Sequence, residues 1–105
     1  MYKQSKTLIN EKLGISIWCG ETGCIKICFA TLVLEVTIEE LKDFMRELCN
    51  ACPVAKEEPQ KTIAAYIMDT PIPSLKFAFT PSQHQYLLQL CQRSLKMVEQ
   101  IATAN

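Results

Sequence analysis

The sequence predicts an α+β fold: an antiparallel sheet of about five strands with two helices packed on one face, in the order β-β-β-α-β-β-α. Three observations lead there. The stretch WCGETGCIKIC reads as a hairpin, two strand-like runs pass directly into helices through matching capping sequences, and the apolar period switches from 2 to 3.6 at each of those steps. A chain of 105 residues has the size of one domain, so a single domain spanning 1–105 is expected.

Gly14 to Cys19 and Cys24 to Ala30 are rich in β-formers and are separated by the short glycine-containing GETG loop. Leu32 to Val36 follows as a third strand after an abrupt Ala30-Thr31 turn. Thr37 is a good helix N-cap and Glu40 stands three residues on, which makes TIEE a capping box opening a helix through ELKDFMRELCNAC that Pro53 stops. PVAKEEPQ reads as a polar connection. Strands are expected at about Thr62 to Met68 and Leu75 to Phe79, with turn chemistry supplied by DTPIP. Thr80, Pro81 and Gln83 then repeat the cap, with proline at the first helical position, and the last helix runs to about Ala102. The two strand-to-helix steps give a weak internal similarity between 14–52 and 62–102, read as the common way a strand hands over to a helix, with duplication as the alternative. The expected core comprises Trp18, Ile25, Ile27, Phe29, Leu32 and Leu34 of the first strands, Leu41, Phe44 and Leu48 of the first helix, Phe77 and Phe79, and Leu87, Cys91 and Val98 of the last helix.

Eleven basic residues balance eleven acidic ones and the pI is near 6.6. That leaves no basic footprint for nucleic acid or for an acidic membrane surface. MYKQSKTLIN lacks the apolar run of a secretory signal, and Ile25 to Val36 is too short and too interrupted by Lys26 and Glu35 to cross a bilayer. A cytoplasmic protein is therefore expected, with its six cysteines free or bound to metal rather than cross-linked. Apolar residues at 49% and a slightly positive mean hydropathy are high for so short a chain and hint at a covered surface.

The cysteines carry most of the chemistry. In a hairpin looped at GETG, Cys19 and Cys24 lie opposite each other and point to one face, with Cys28 two periods further on. Trp18, Ile25, Ile27 and Phe29 occupy the other, core-facing side. Ile15, Ile17, Cys19, Cys24, Lys26 and Cys28 then form a half-apolar second face, read as an interface. Cys49 and Cys52 make a C-x-x-C, but at a helix C-terminus, where the dipole disfavours a thiolate; helical spacing puts Cys52 on the stripe of Leu41, Met45 and Leu48 as a core residue. Cys91 falls on the stripe of Leu87, Leu95 and Val98. Zinc held by Cys19, Cys24, Cys49 and Cys52 is the alternative, at the edge of the usual ligand spacing. His84, the one histidine, matches Leu41 in position and is read as a packing residue. No glycine-rich phosphate loop, G-x-S-x-G or histidine-carboxylate cluster is present, and nothing pairs Asp43 with Asp69.

The cysteine hairpin followed by CFATLVLEVTIEELKDF resembles a family of short uncharacterised Bacteroidetes proteins over roughly Trp18 to Leu48. Members of that family carry glycine and asparagine where this chain has Ala30 and Thr31. The resemblance implies a bacterial source and the strand-to-helix step, and no activity. The functional expectation is a small non-enzymatic interaction module, homodimeric or bound to another protein, that needs no cofactor. Its alternatives are the thiolate zinc protein and a thiol redox sensor that uses Cys19 and Cys24.

Overall fold

The structure, a computed structural model, describes residues 5–55 and 63–103. Within them the chain is α+β, with strands β1 (Ser5–Asn10), β2 (Gly14–Cys19), β3 (Cys24–Phe29) and β4 (Leu32–Thr37), helix α1 (Ile38–Cys49), strands β5 (Cys52–Ala55), β6 (Ile63–Asp69) and β7 (Lys76–Phe79), and helix α2 (Pro81–Thr103).

The expected single sheet is in fact two. Strands β1-β2-β3-β4 form one antiparallel meander and β5-β6-β7 a second. The division follows from the junction at Thr37, where β4 hands over to α1 with no intervening loop. Twelve helical residues then carry the chain about 18 Å before the next strand begins. Two strands escaped the periodicity. In β1 the register shifts between Thr7 and Ile9, so Leu8 and Ile9 are both buried and the period-2 signal is broken. In β5, Pro53 and its neighbours read as a linker, yet proline is tolerated because this strand lies at the edge of its sheet.

Both capping boxes form. Thr37 Oγ1 accepts from the Glu40 amide at 3.2 Å while Glu40 Oε1 accepts from the Thr37 amide at 2.9 Å, and Thr80 with Gln83 repeats the arrangement at 3.2 and 2.9 Å. Helix α1 ends at Cys49, with the Asn50 amide donating to Arg46 at 3.1 Å and the Ala51 amide to Leu48 at 3.3 Å. Pro53 therefore does not stop the helix; it lies beyond it, within β5.

Helix α2 touches β1 and β2 of the first sheet and β6 and β7 of the second, and α1 touches β3, β4 and β6. The core lies between these helices and the sheets: Ile25, Ile27 and Phe29 from β3, Leu41 and Leu48 from α1, Phe79 from β7, and Leu87, Cys91 and Val98 from α2 are buried, as expected. Trp18, Leu32, Leu34, Phe44 and Phe77 pack against them, half-buried. Met68 and Leu90 join the core as well. Strand β2 approaches α2 closely at Gly14, where a Cβ would stand 2.7 Å from Leu90 Cδ2 and 3.0 Å from the Tyr86 ring. One turn of α2 further on, Ser94 Oγ lies 2.7 Å from both Ser16 Oγ and the Leu90 carbonyl, and both serines are fully buried. The single Ser94 proton serves only one of those contacts, so Ser16 supplies the proton of the pair when Ser94 donates to Leu90.

Ser94→Ala should leave the buried Ser16 hydroxyl without its partner and cost about 1–3 kcal/mol in chemical denaturation. The Ser16→Ala/Ser94→Ala double variant should lose less than the sum of the single changes, and additive losses would show that the pair is not coupled. The β3–β4 turn yields a second expectation. Ala30 sits at φ 53°, in the left-handed region that costs a non-glycine residue about 1 kcal/mol, so Ala30→Gly should hold or raise the melting temperature where a glycine in a regular strand would lower it.

Candidate functional site

The first sheet has a second side that neither α1 nor α2 covers. Its registers arrange the outward residues in three rows across β1, β2, β3 and β4: Ser5, Cys19, Cys24 and Thr37 beside the β2–β3 loop; Thr7, Ile17, Lys26 and Glu35 in the middle; and Asn10, Ile15, Cys28 and Val33 at the far end. The six residues expected to share a face thus do so, Cys19 directly opposite Cys24, and the core-facing set of Ile25, Ile27 and Phe29 lies behind them.

The three rows differ in chemistry. At the far end Val33 is 59% exposed and Ile15 37%, and Leu13 in the β1–β2 connection, 60% exposed, adds to them. The middle row places Lys26 Nζ 3.9 Å from Glu35 Oε2 on the neighbouring strand, a cross-strand pair open to solvent. At the loop end, Ser5, Ile17, Cys19, Thr22, Cys24 and Lys26 line a shallow cleft of about 220 Å³ together with Glu35. The Gly23 amide donates to the Cys19 carbonyl at 2.9 Å, with Gly23 at φ 72°, which folds Gly20-Glu21-Thr22-Gly23 back over the strand ends. That fold sets Thr22 in the cleft beside Cys19 and Ser5. Hydrogen bonding from the Thr22 side chain and amide, and more weakly from the Glu21 amide and the Ser5 side chain, draws the Cys19 thiol below its ordinary pKa. Cys24 Sγ donates toward the Thr22 carbonyl at 3.8 Å.

The remaining cysteines lie elsewhere. Cys91 is fully buried, and desolvation pushes its thiol up to about 12, which makes it an inert core residue. Cys49 is exposed on the last residue of α1. Cys52, expected on the buried stripe of that helix, is exposed in β5: the helix ends three residues too early to carry it inward. The four cysteines considered for zinc are thus divided between the hairpin loop and the far end of α1. Among the described residues no three His, Cys, Asp or Glu side chains are grouped to hold a metal ion. His84 packs as expected: its ring stacks on Tyr66 at 4.1 Å between centroids and its Nε2 lies 2.7 Å from the Leu48 carbonyl, joining the start of α2 to the last turn of α1.

One cluster was invisible to the sequence reading. Glu11, in the β1–β2 turn, accepts from the Tyr86 hydroxyl at 2.6 Å and from both Arg93 terminal nitrogens at 2.8 and 2.9 Å. Its partners stand 75 and 82 residues away, and no local pattern signals such a contact. The Arg93 guanidinium, then the Tyr86 hydroxyl, hold the Glu11 carboxyl down at about 2, while burial and the adjacent carboxylate raise Tyr86. Because the folded pKa lies below the ordinary 4.5, this tie contributes fully above about pH 4.5 and is lost as the pH falls toward 2. Acid titration of stability should show a loss in that window that Glu11→Gln removes; a wild type and variant with the same acid profile would deny the cluster any share in stability.

No protein-family model, curated protein or solved structure matches this chain, so the reading of the site rests on its own geometry.

Proposed function

We propose that the protein is a small non-enzymatic interaction module that pairs with a second copy of itself through the outward face of β1–β4. The observation that carries this reading is the make-up of that face. It presents Ile15, Ile17 and Val33 to solvent with a single oppositely charged pair, Lys26 and Glu35, at its centre. A sheet face open to water normally turns polar residues outward; here Ser5, Thr7, Asn10 and Thr37 keep to the edge strands β1 and β4, and the central strands β2 and β3 turn out only isoleucine and cysteine besides Lys26.

The charge pattern favours a second copy over an unrelated partner. In a two-fold arrangement a surface meets itself, so any charge on it must find its opposite on the same surface. Lys26 and Glu35 are cross-strand neighbours, and an axis passing between them sets each against the other residue of the partner. The net charge of zero adds no long-range repulsion. Four strands about 4.8 Å apart and about 20 Å long give a footprint of about 400 Å² per subunit, which belongs to the small, weak class of interfaces. The apolar end provides its driving force, at about 25 cal/mol per Å² covered, much of it offset by ordering.

Sedimentation across micromolar to millimolar concentration should show a reversible monomer–dimer equilibrium. Val33→Lys, at an exposed position that monomer folding does not use, should shift it to monomer with an unchanged circular dichroism spectrum. Lys26→Glu should weaken it through like charges, and Lys26→Glu/Glu35→Lys should restore it. A wild type that stays monomeric throughout, or association untouched by Val33→Lys, would overturn the reading.

A further inference from the structure

We infer that Cys19 and Cys24 form a modification site: a dithiol that a hydroperoxide oxidises to an intrachain disulfide across the end of the β2–β3 hairpin.

The two residues are register partners at the last rung of the ladder, with side chains on the same face. Directly opposed residues of an antiparallel pair have Cα atoms about 4.5 or 5.5 Å apart, according to the kind of rung, and both spacings lie within the 4.4–6.8 Å that a disulfide spans. No strand slip or loop rearrangement is needed to bring the sulfurs together. Both thiols are half-exposed and line the cleft beside the loop. They occupy the rim row of the face, at the end opposite Ile15 and Val33, and are accessible in the monomeric state of the weak equilibrium.

The surroundings distinguish the roles of the two sulfurs. Cys19 is the attacking group: it shares the cleft with Ser5 and Thr22, and hydrogen bonding led by Thr22 favours its thiolate. Cys24, whose sulfur donates toward the Thr22 carbonyl at 3.8 Å, is the resolving thiol. In the first step the Cys19 thiolate attacks one peroxide oxygen and the O–O bond breaks. The departing oxygen leaves as water or alcohol after taking up a proton, and Cys19 becomes a sulfenic acid. In the second, Cys24 attacks the Cys19 sulfur, the S–S bond forms, and the hydroxyl leaves as water with the proton that Cys24 gives up. Two thiols lose two electrons and the peroxide gains them. The ring closed is short and the bond exposed, which makes the disulfide readily reversed by a thiol reductant.

The experiment exposes the reduced full-length protein to substoichiometric hydrogen peroxide at neutral pH, blocks remaining thiols by alkylation and digests with trypsin. The chain suits this test, because cleavage after Lys12 and Lys26 leaves Cys19 and Cys24 on one peptide, and cleavage after Arg46 and Lys56 leaves Cys49 and Cys52 on another. The first peptide is expected to lose the mass of two hydrogens and escape alkylation, while the second stays doubly alkylated. Cys24→Ser should stop the reaction at a Cys19 sulfenic acid that a dimedone probe captures, and Thr22→Ala should slow oxidation several-fold with the fold intact by circular dichroism. A 13–26 peptide that remains doubly alkylated, prior oxidation of the 47–56 peptide, or a disulfide between chains on a non-reducing gel would each overturn the assignment. Dimedone label on Cys24 in Cys19→Ser as fast as on Cys19 in Cys24→Ser would overturn the division of roles.

Discussion

Everything in the molecule leans on the buried side of α2. Among the described residues the two sheets share no strand pairing; the helices hold them together, and α2 reaches the β1–β2 edge of the first sheet while also packing on β6 and β7. Twenty-three residues give it a length of about 34 Å, enough to run beneath both. Leu87, Leu90, Cys91, Ser94 and Val98 make up its buried stripe at spacings of three and four residues. Polar fastenings lie along the same helix: His84 against α1, Tyr86 and Arg93 on Glu11, and Ser94 on Ser16. The apolar stripe supplies the bulk of the attraction, and the polar contacts fix where along the helix each sheet docks.

That division explains what a reading of the sequence can recover. The β2–β3 hairpin, the two capping boxes and the buried stripe of α2 are local patterns with a physical period, and each is where the spacing placed it. Strand β1 hid because its bulge puts Leu8 and Ile9 on the same side, erasing the alternation that marks a strand. Strand β5 hid because an edge position removes the usual objection to proline. The partition into two sheets is a matter of how far α1 carries the chain, which no short window contains.

The cysteines show the same contrast at the level of a site. Which face Cys19, Cys24 and Cys28 share follows from counting by twos from the GETG loop. The inward placement expected for Cys52 failed, since it required α1 to continue past Asn50, and the backbone there turns off into β5 instead. The Thr22 contacts to Cys19 depend on how a four-residue loop folds back with Gly23 at positive φ, a choice the loop composition permits without dictating.

The outward face is also bound to the core by register. Along β3 the side chains alternate between Ile25, Ile27 and Phe29 inward and Cys24, Lys26 and Cys28 outward. Sliding β3 by one residue would exchange the two sets, drawing three apolar side chains into water and the Lys26 ammonium beneath α1 and α2, where no acidic partner waits among the described core residues. The cost of burying that one charge keeps the thiols on the outer side, and the length of the 20–23 loop sets them directly across from each other. A lysine at the centre of the face therefore acts twice, once through Glu35 on the surface and once by opposing every odd slip of β3, which would turn Cys24 inward.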